Sequence, residues 1–329
     1  MQELLFQFNP ELFLRYLSIK SWLGRNRLLA DGVANIPTKV LGIEFKNPVG
    51  LAAGIDCNGD YLNALSNLGF GFIEIGTITP QPQVAHIYPR VCAAPKIHGL
   101  INRAGFVNKG VEALYVKLRN MPYEGVLGIN IGKNLVTPIE NAVEDYKYCI
   151  QRLYNFASYF TVNESYYQEI KSFIMQNQNH KLLSNLLINL KQTQLRLADK
   201  YGRYVPLVIK FSLSINNTDL RFLLDEMVKN GIDGIVAGGG AITADSRRGE
   251  ENCYLSGTPL KQQAESVLIY ARDYLQGAIP IISVGGIVGA RDGINRLNQG
   301  ASLIQICTGL IYFGPILIKK TLQIIHAKH

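Results

Sequence analysis

Histidine is scarce in this 329-residue chain, at five, and the five cysteines Cys57, Cys92, Cys149, Cys253 and Cys307 lie far apart. No C-x-x-C pair occurs among them, so neither a disulfide framework nor a zinc site is expected, and no other metal set stands out. Odd, widely spaced thiols fit a reducing compartment. Long apolar runs are also missing: none reaches the ~18–20 residues that cross a bilayer. The opening MQELLFQFNPELF carries Glu3, Pro10 and Glu11 where a secretory signal has a basic start and a clean apolar core, so no signal peptide is expected. Basic residues outnumber acidic ones, 33 to 25, but they are scattered and gather only in doublets such as Arg247-Arg248 and Lys319-Lys320. Without an aromatic-interleaved basic stripe, nucleic acid is not an expected partner. The net charge of +8 fits a mild attraction to anionic lipid instead.

Hydrophobic residues make up 47% of the chain, enough for one large core, and they fall in a repeating order. Short β-rich apolar runs at 48–52, 72–76, 126–131, 159–162, 207–211, 234–237, 280–284 and 303–306 alternate with longer helical patterns such as NKGVEALYVKLRNM and TDLRFLLDEMVKNG. Several of these patterns stop at glycine, the usual helix end. Strands that are apolar throughout and separated by helices imply a parallel sheet covered on its faces. Eight such units favour closure into a (β/α)₈ barrel, and the length suits one.

Two segments fall outside the repeat. Residues 1–36 form a separate N-terminal helical segment ahead of a barrel spanning 37–329; Leu12, Phe13, Tyr16, Leu17, Ile19 and Leu23 recur there at three- and four-residue spacing. That stripe suits a helix packed on the barrel or one facing a membrane. Residues 166–200 exceed an ordinary βα connection; their second half, KLLSNLLINLKQTQLRLADK, is an amphipathic helix, which leaves 166–180 as a long loop at the barrel mouth.

Active sites of this fold lie where strands end and βα loops begin. Ala52-Ala53-Gly54 follow the first strand, and the next four strands run into Thr77, Asn130, Asn163 and Lys210. Gly285-Gly286 follow the seventh and Cys307-Thr308 the eighth. Loops after strands seven and eight are the recurrent phosphate cradle of such barrels, although a glycine pair can also be no more than a tight turn. Lys210, framed by Val208, Ile209 and Phe211, is hard to explain as a surface lysine; at a strand end it must be paired or solvated, as by a ligand. With Asn130 and Asn163 it makes a polar ring suited to the carbonyls and nitrogens of a flavin.

The motifs LGIEFKNPVGLAAGID, GFGFIEIGTITPQPQ, GLINRAGFVNKGV, EGVLGINIGKN, LSGTPL, PIISVGGI and GASLIQICTGLIYFGPILIK, in that order, resemble the class 2, quinone-linked and membrane-associated dihydroorotate dehydrogenases. LLFQFNPELF resembles that family's N-terminal helical lid. The resemblance implies an FMN enzyme that oxidises dihydroorotate to orotate in pyrimidine biosynthesis. In the family it resembles, a serine after strand four removes a proton while hydride passes to the flavin, and the electrons go on to a membrane quinone. It implies peripheral attachment on the cytoplasmic side of the inner membrane. It places FMN contacts at Ala53, Gly54, Thr77, Asn130, Asn163, Lys210, Gly257, Gly285, Gly286, Cys307 and Thr308, and substrate contacts at Asn102, Gly105, Phe106 and Asn163.

The same resemblance exposes departures on the substrate side. The family's lysine after LAAGxD is Cys57, and its catalytic serine is replaced by Tyr166, with Ser165 adjacent as a possible substitute. Gln168 stands at the substrate-binding asparagine, and Gly238-Gly239-Gly240 replace Thr-Asn-Thr. A tyrosine is a poor base at neutral pH, and each lost buried partner weakens binding by ~1–3 kcal/mol. Three readings follow: a dihydroorotate dehydrogenase with an eroded loop, an FMN oxidoreductase with another substrate, or a non-catalytic flavin-binding protein.

Overall fold

The computed structural model describes residues 35–84, 91–103, 105–163, 181–245 and 250–327. Residues 1–34 of the N-terminal helical segment, the whole 166–180 loop with Tyr166, and Ser165 therefore lie outside the described residues.

Eight parallel strands close into a barrel: β3 (Val49–Leu51), β4 (Phe72–Ile78), β7 (Leu127–Ile131), β8 (Tyr159–Asn163), β9 (Leu207–Phe211), β10 (Gly234–Ala237), β13 (Ile281–Val284) and β14 (Leu303–Ile306). These are the eight strands expected from the sequence. Helices α1 (Leu62–Ser66), α2 (Val111–Asn120), α3 (Ala142–Leu153), α4 (Lys181–Tyr201), α5 (Asn217–Lys229), α6 (Lys261–Leu275), α7 (Ala290–Asn298), α8 (Thr308–Phe313) and α9 (Ile316–His326) follow or flank them. The first helix is shorter than its apolar pattern suggests. Asp56 accepts the backbone N–H groups of Asn58, Asp60 and Tyr61, which holds that stretch as a turn and delays the helix.

Alternation along each strand decides what the barrel contains. Leu207, Ile209 and Phe211 face the helices, whereas Val208 and Lys210 face inward. The inward positions grow polar toward the C-terminal end of each strand: Phe72 then Glu74, Tyr159 then Thr161 then Asn163, Leu303 then Gln305 then Cys307. The lower half is thus a dry plug, with Phe45 and Phe72 meeting edge to face at 5.1 Å. Gly50 admits the Phe72 ring, since a Cβ there would lie 2.2 Å from it.

Two features were not legible in the sequence pattern. A hairpin of β1 (Thr38–Val40) and β2 (Ile43–Phe45) turns through Leu41 (φ 57°) and Gly42 (φ 74°) and delivers Phe45 to the closed end of the barrel. A four-stranded antiparallel sheet, ordered β11 (Ala241–Asp245), β12 (Glu250–Gly257), β6 (Gly99–Asn102) and β5 (Val91–Ala94), is built from the second and sixth connections. Strands β5, β6 and β12 bring Val91, Leu100, Asn102, Tyr254, Ser256 and Gly257 to the open end.

Candidate functional site

The polar upper layers of the barrel form one hydrogen-bonded network. Glu74 is fully buried, and its carboxylate accepts from Asn130 Nδ2 (2.9 Å), Tyr159 OH (3.0 Å), Thr161 Oγ1 (3.0 Å) and Gln305 Nε2 (2.7 Å). Burial and the adjacent Glu74 both push the Tyr159 phenol well above its ordinary pKa, so it stays a donor. With its nitrogen committed to Glu74, Asn130 turns Oδ1 upward to accept from Thr77 Oγ1 at 2.7 Å and Asn163 Nδ2 at 3.1 Å. Thr77 Oγ1 in turn accepts from Asn163 Nδ2 at 2.9 Å. The carboxylate at the bottom therefore fixes the direction of each amide above it.

Above this network opens a cavity of about 480 Å³. That is within the range for small-molecule and cofactor sites. One wall is the first strand's end, where Gly54 adopts φ 102° and a Cβ would meet nothing within 4 Å, so backbone faces open space. Opposite it, Lys210 stands beside Asn163, its register partner on the neighbouring strand. Among the described residues no carboxylate pairs with Lys210. Burial pushes the Cys307 thiol upward in pKa, an effect that the nearby Lys210 partly offsets.

A third side is made of backbone. Gly286 (φ 70°) lies so close to α6 that a Cβ would come 2.4 Å from Lys261 Cα. Gly257 (φ 98°) leaves no room either, with a Cβ 2.2 Å from His98 O and 2.9 Å from Thr308 Cγ2. The loops after strands seven and eight and the end of β12 converge there, and Ser256 Oγ meets Thr308 Oγ1 at 2.9 Å. Helix α8 begins at Thr308, so its first amide groups have no acceptor within the helix. Glycine backbone and a helix start around one hollow suit a phosphate.

Most residues singled out in the sequence line this cavity: Ala53, Gly54, Thr77, Asn102, Gly105, Phe106, Asn163, Lys210, Gly257, Gly285, Gly286, Cys307 and Thr308. Asn130 does not. It is fully buried one layer below, behind Thr77 and Asn163, because its amide is spent on Glu74 and on those two side chains. Glu74 and Gln305 were not singled out, although their inward parity with Phe72 and Leu303 marks them in the sequence. Ser256 and Tyr254 were hidden because they reach the site on the unforeseen sheet. Cys57 reaches the cavity. The glycine run has a backbone reason too: Gly238 has φ 118°, and a Cβ there would lie 2.0 Å from Val284 O.

The family model described as dihydroorotate dehydrogenase matches residues 35–328. The chain belongs to the dihydroorotate dehydrogenase family. The dihydroorotate dehydrogenase (quinone) of Chromobacterium violaceum is 42% identical over 341 residues, covering 100% of this chain and 98% of its own. That of Nitrosomonas europaea is 42% identical over 331 residues, covering 99% and 96%. Relatives of this kind place the chain in the quinone-linked class of dihydroorotate dehydrogenases. The crystal structure of the Eimeria tenella dihydroorotate dehydrogenase in complex with ferulenol is similar at a TM-score of 0.81 and 28% identity, covering 96% of this chain and 90% of that one. No helix among the described residues is long and apolar enough to cross a membrane.

Proposed function

We propose that the protein is an FMN-binding dihydroorotate dehydrogenase homologue whose turnover of dihydroorotate is extremely slow or absent. The observation that carries the cofactor reading is the convergence of Gly257, Gly286 and Thr308 at one end of a cavity whose other walls carry Lys210, Thr77 and Asn163, with the two glycines packed so tightly against His98 and Lys261 that neither position could carry a side chain. The residues fit the group. Gly257, Gly286 and Thr308 would hold its phosphate, and Gly54, Thr77, Asn163 and Lys210 its ring. Gln305 Oε1 is buried without a partner among the described residues, as a wall awaiting a polar ligand would be. FMN, when bound, supplies hydride acceptance.

What the chain's own residues do on the substrate side is reduced. Asn102, Gly105 and Phe106 stand on the wall, but Cys57 brings a thiol where the family brings a lysine, and a neutral thiol cannot hold a carboxylate as an ammonium does. Proton removal falls to Tyr166 or Ser165, and loss of a positioned base costs ~10²–10⁴ in rate.

Purified protein should show flavin absorbance or take it up from added FMN. Anaerobic addition of dihydroorotate should leave that colour nearly unchanged. Protein that never binds FMN overturns the cofactor reading, and rapid bleaching overturns the reading of impaired turnover. A second reading, oxidation of a different substrate, is favoured by Gly238, whose backbone path excludes the family's side chain and leaves Gly238–Gly240 as bare cavity wall. Bleaching by another reductant but not by dihydroorotate would select it. The electron acceptor is a membrane quinone, reached through peripheral contact of residues 1–36 on the cytoplasmic side of the inner membrane. The quinone-linked relatives and the apolar N-terminal stripe support this. Detergent-independent recovery of both full-length and truncated protein in the soluble fraction would overturn it.

A further inference from the structure

Among the described residues Arg296 has the largest side chain sealed from solvent, and it does not itself line the cavity. It lies on α7, behind the loop that follows strand seven. Its Nη2 donates to the carbonyl of Lys261 at 2.8 Å and to that of Gly285 at 3.1 Å. Its nearest carboxylate, Glu265, is 4.0 Å from Nε, and neither Nε nor Nη1 has a hydrogen-bond partner among the described residues. A guanidinium buried this way is costly unless its placement achieves something else.

The geometry of the peptide unit shows what it achieves. In a trans peptide the carbonyl of one residue and the N–H of the next point in opposite directions. Arg296 draws the Gly285 carbonyl to the back of the loop, which turns the Gly286 N–H toward the cavity that Gly286 lines. Holding the Lys261 carbonyl as well, it locks α6 to the loop at the point where Gly286 has no room for a Cβ. The far end of the loop is fixed separately, by Asp292 accepting from Val288 N at 3.1 Å and Gly289 N at 2.7 Å. Asp292 also pairs with Lys261 Nζ at 2.5 Å. Arg296 therefore acts on a peptide of the cavity wall, Gly285–Gly286, and it adds a positive charge behind it.

We infer that Arg296 is a positioning residue that makes the cradle selective for a phosphate-bearing ligand, acting through the Gly285–Gly286 peptide. The inference rests on the reading of the hollow as a flavin-phosphate site. Its test compares FMN with riboflavin, which lacks only the phosphate, by fluorescence titration of flavin-free wild-type protein, Arg296→Met and Arg296→Lys.

Wild-type protein should bind FMN more tightly than riboflavin. Arg296→Met should weaken FMN by about 10- to 100-fold, the effect of losing a charge-assisted contact, and leave riboflavin nearly unchanged. Arg296→Lys, able to reach one carbonyl, should fall between. A merely structural role would lower both affinities by the same factor, and that result overturns the inference. If Arg296→Met does not fold, the FMN-to-riboflavin ratio of Arg296→Lys decides the matter alone, an unchanged ratio counting against it. Wild-type protein that binds neither compound removes the flavin reading and this inference with it.

Discussion

Glu74 and Asn130 meet at 2.9 Å inside the barrel, and the direction of that single hydrogen bond orients every polar group between them and the cavity. Glu74 also serves Tyr159, Thr161 and Gln305, so removing the carboxylate strands four buried donors at once. Glu74→Ala should lower unfolding free energy by at least ~3 kcal/mol, since each stranded donor costs ~1–3 kcal/mol and the four share one pocket. Glu74→Gln keeps the shape but adds a donor where only acceptors are wanted, and should cost about half as much. Denaturant midpoints of the two variants check the order. A Glu74→Ala protein as stable as wild type would mean that the network repacks freely.

The eight strands were legible because each is a short apolar run between helical patterns, and eight such units favour closure into a barrel. The polar interior was legible in part. Lys210 stands out within PLVIKFSL because a charge in an apolar frame needs a reason, and it does reach the cavity. Glu74 sits in FIEIGTI in the same manner and was passed over, because a buried acid served by neutral donors leaves no partner charge in the sequence. The mouth sheet stayed hidden for another reason. Strand β6 pairs with β12 across roughly 150 residues, as in Tyr254 with Asn102, and short strands joined over that distance carry no local signal. Asn130 ends a strand and points inward as Lys210 does, but it lies level with Thr161, one layer below Asn163, and its amide is spent on Glu74, Thr77 and Asn163.

The glycine run gives a prediction about backbone. At Gly238 (φ 118°) a Cβ would meet Val284 O at 2.0 Å, whereas at Gly239 (φ 153°) the first atom met is Lys210 Cε at 3.5 Å. Gly238→Ala should therefore destabilise the protein by ~2–4 kcal/mol, combining a strained dihedral with a clash against fixed backbone. Gly239→Ala should cost only the dihedral, ~1–2 kcal/mol. Thermal unfolding of both, side by side, reads the difference. Equal losses would show that Val284 yields easily.

Cys307 gives a pH dependence. Burial raises its thiol pKa, with Lys210 opposing in part, so the folded protein keeps a proton that the unfolded chain releases near pH ~8.5. Stability from this group is present below that pH and declines as pH rises above it. Alkylation requires the thiolate, so the Cys307 peptide should label slowly at pH 8 and faster toward pH 10. Lys210→Met removes the opposing charge and should slow labelling further at every pH. Peptide-resolved mass spectrometry after iodoacetamide treatment measures this, and faster labelling in Lys210→Met would contradict the assigned interaction.

The last prediction separates binding from chemistry on the substrate side. Cys57 lies on the cavity wall near the first strand's end, its Sγ 3.9 Å from Gly54 O. Cys57→Lys would place an ammonium where the family resemblance puts one, facing a ligand that carries a carboxylate. A charge-assisted hydrogen bond contributes ~1.5–3 kcal/mol, so orotate should bind roughly 10- to 100-fold more tightly to Cys57→Lys than to wild type. Turnover should not recover, because the ammonium supplies no base and the serine position remains Tyr166. Orotate affinity by calorimetry and flavin bleaching by dihydroorotate under anaerobic conditions are two independent readouts. Tighter orotate with unchanged slow bleaching fits a site whose charge and base were lost separately. Bleaching that accelerates by the full ~10²–10⁴ expected for a positioned base would show instead that proton removal was intact all along and that only the substrate's anchor was missing.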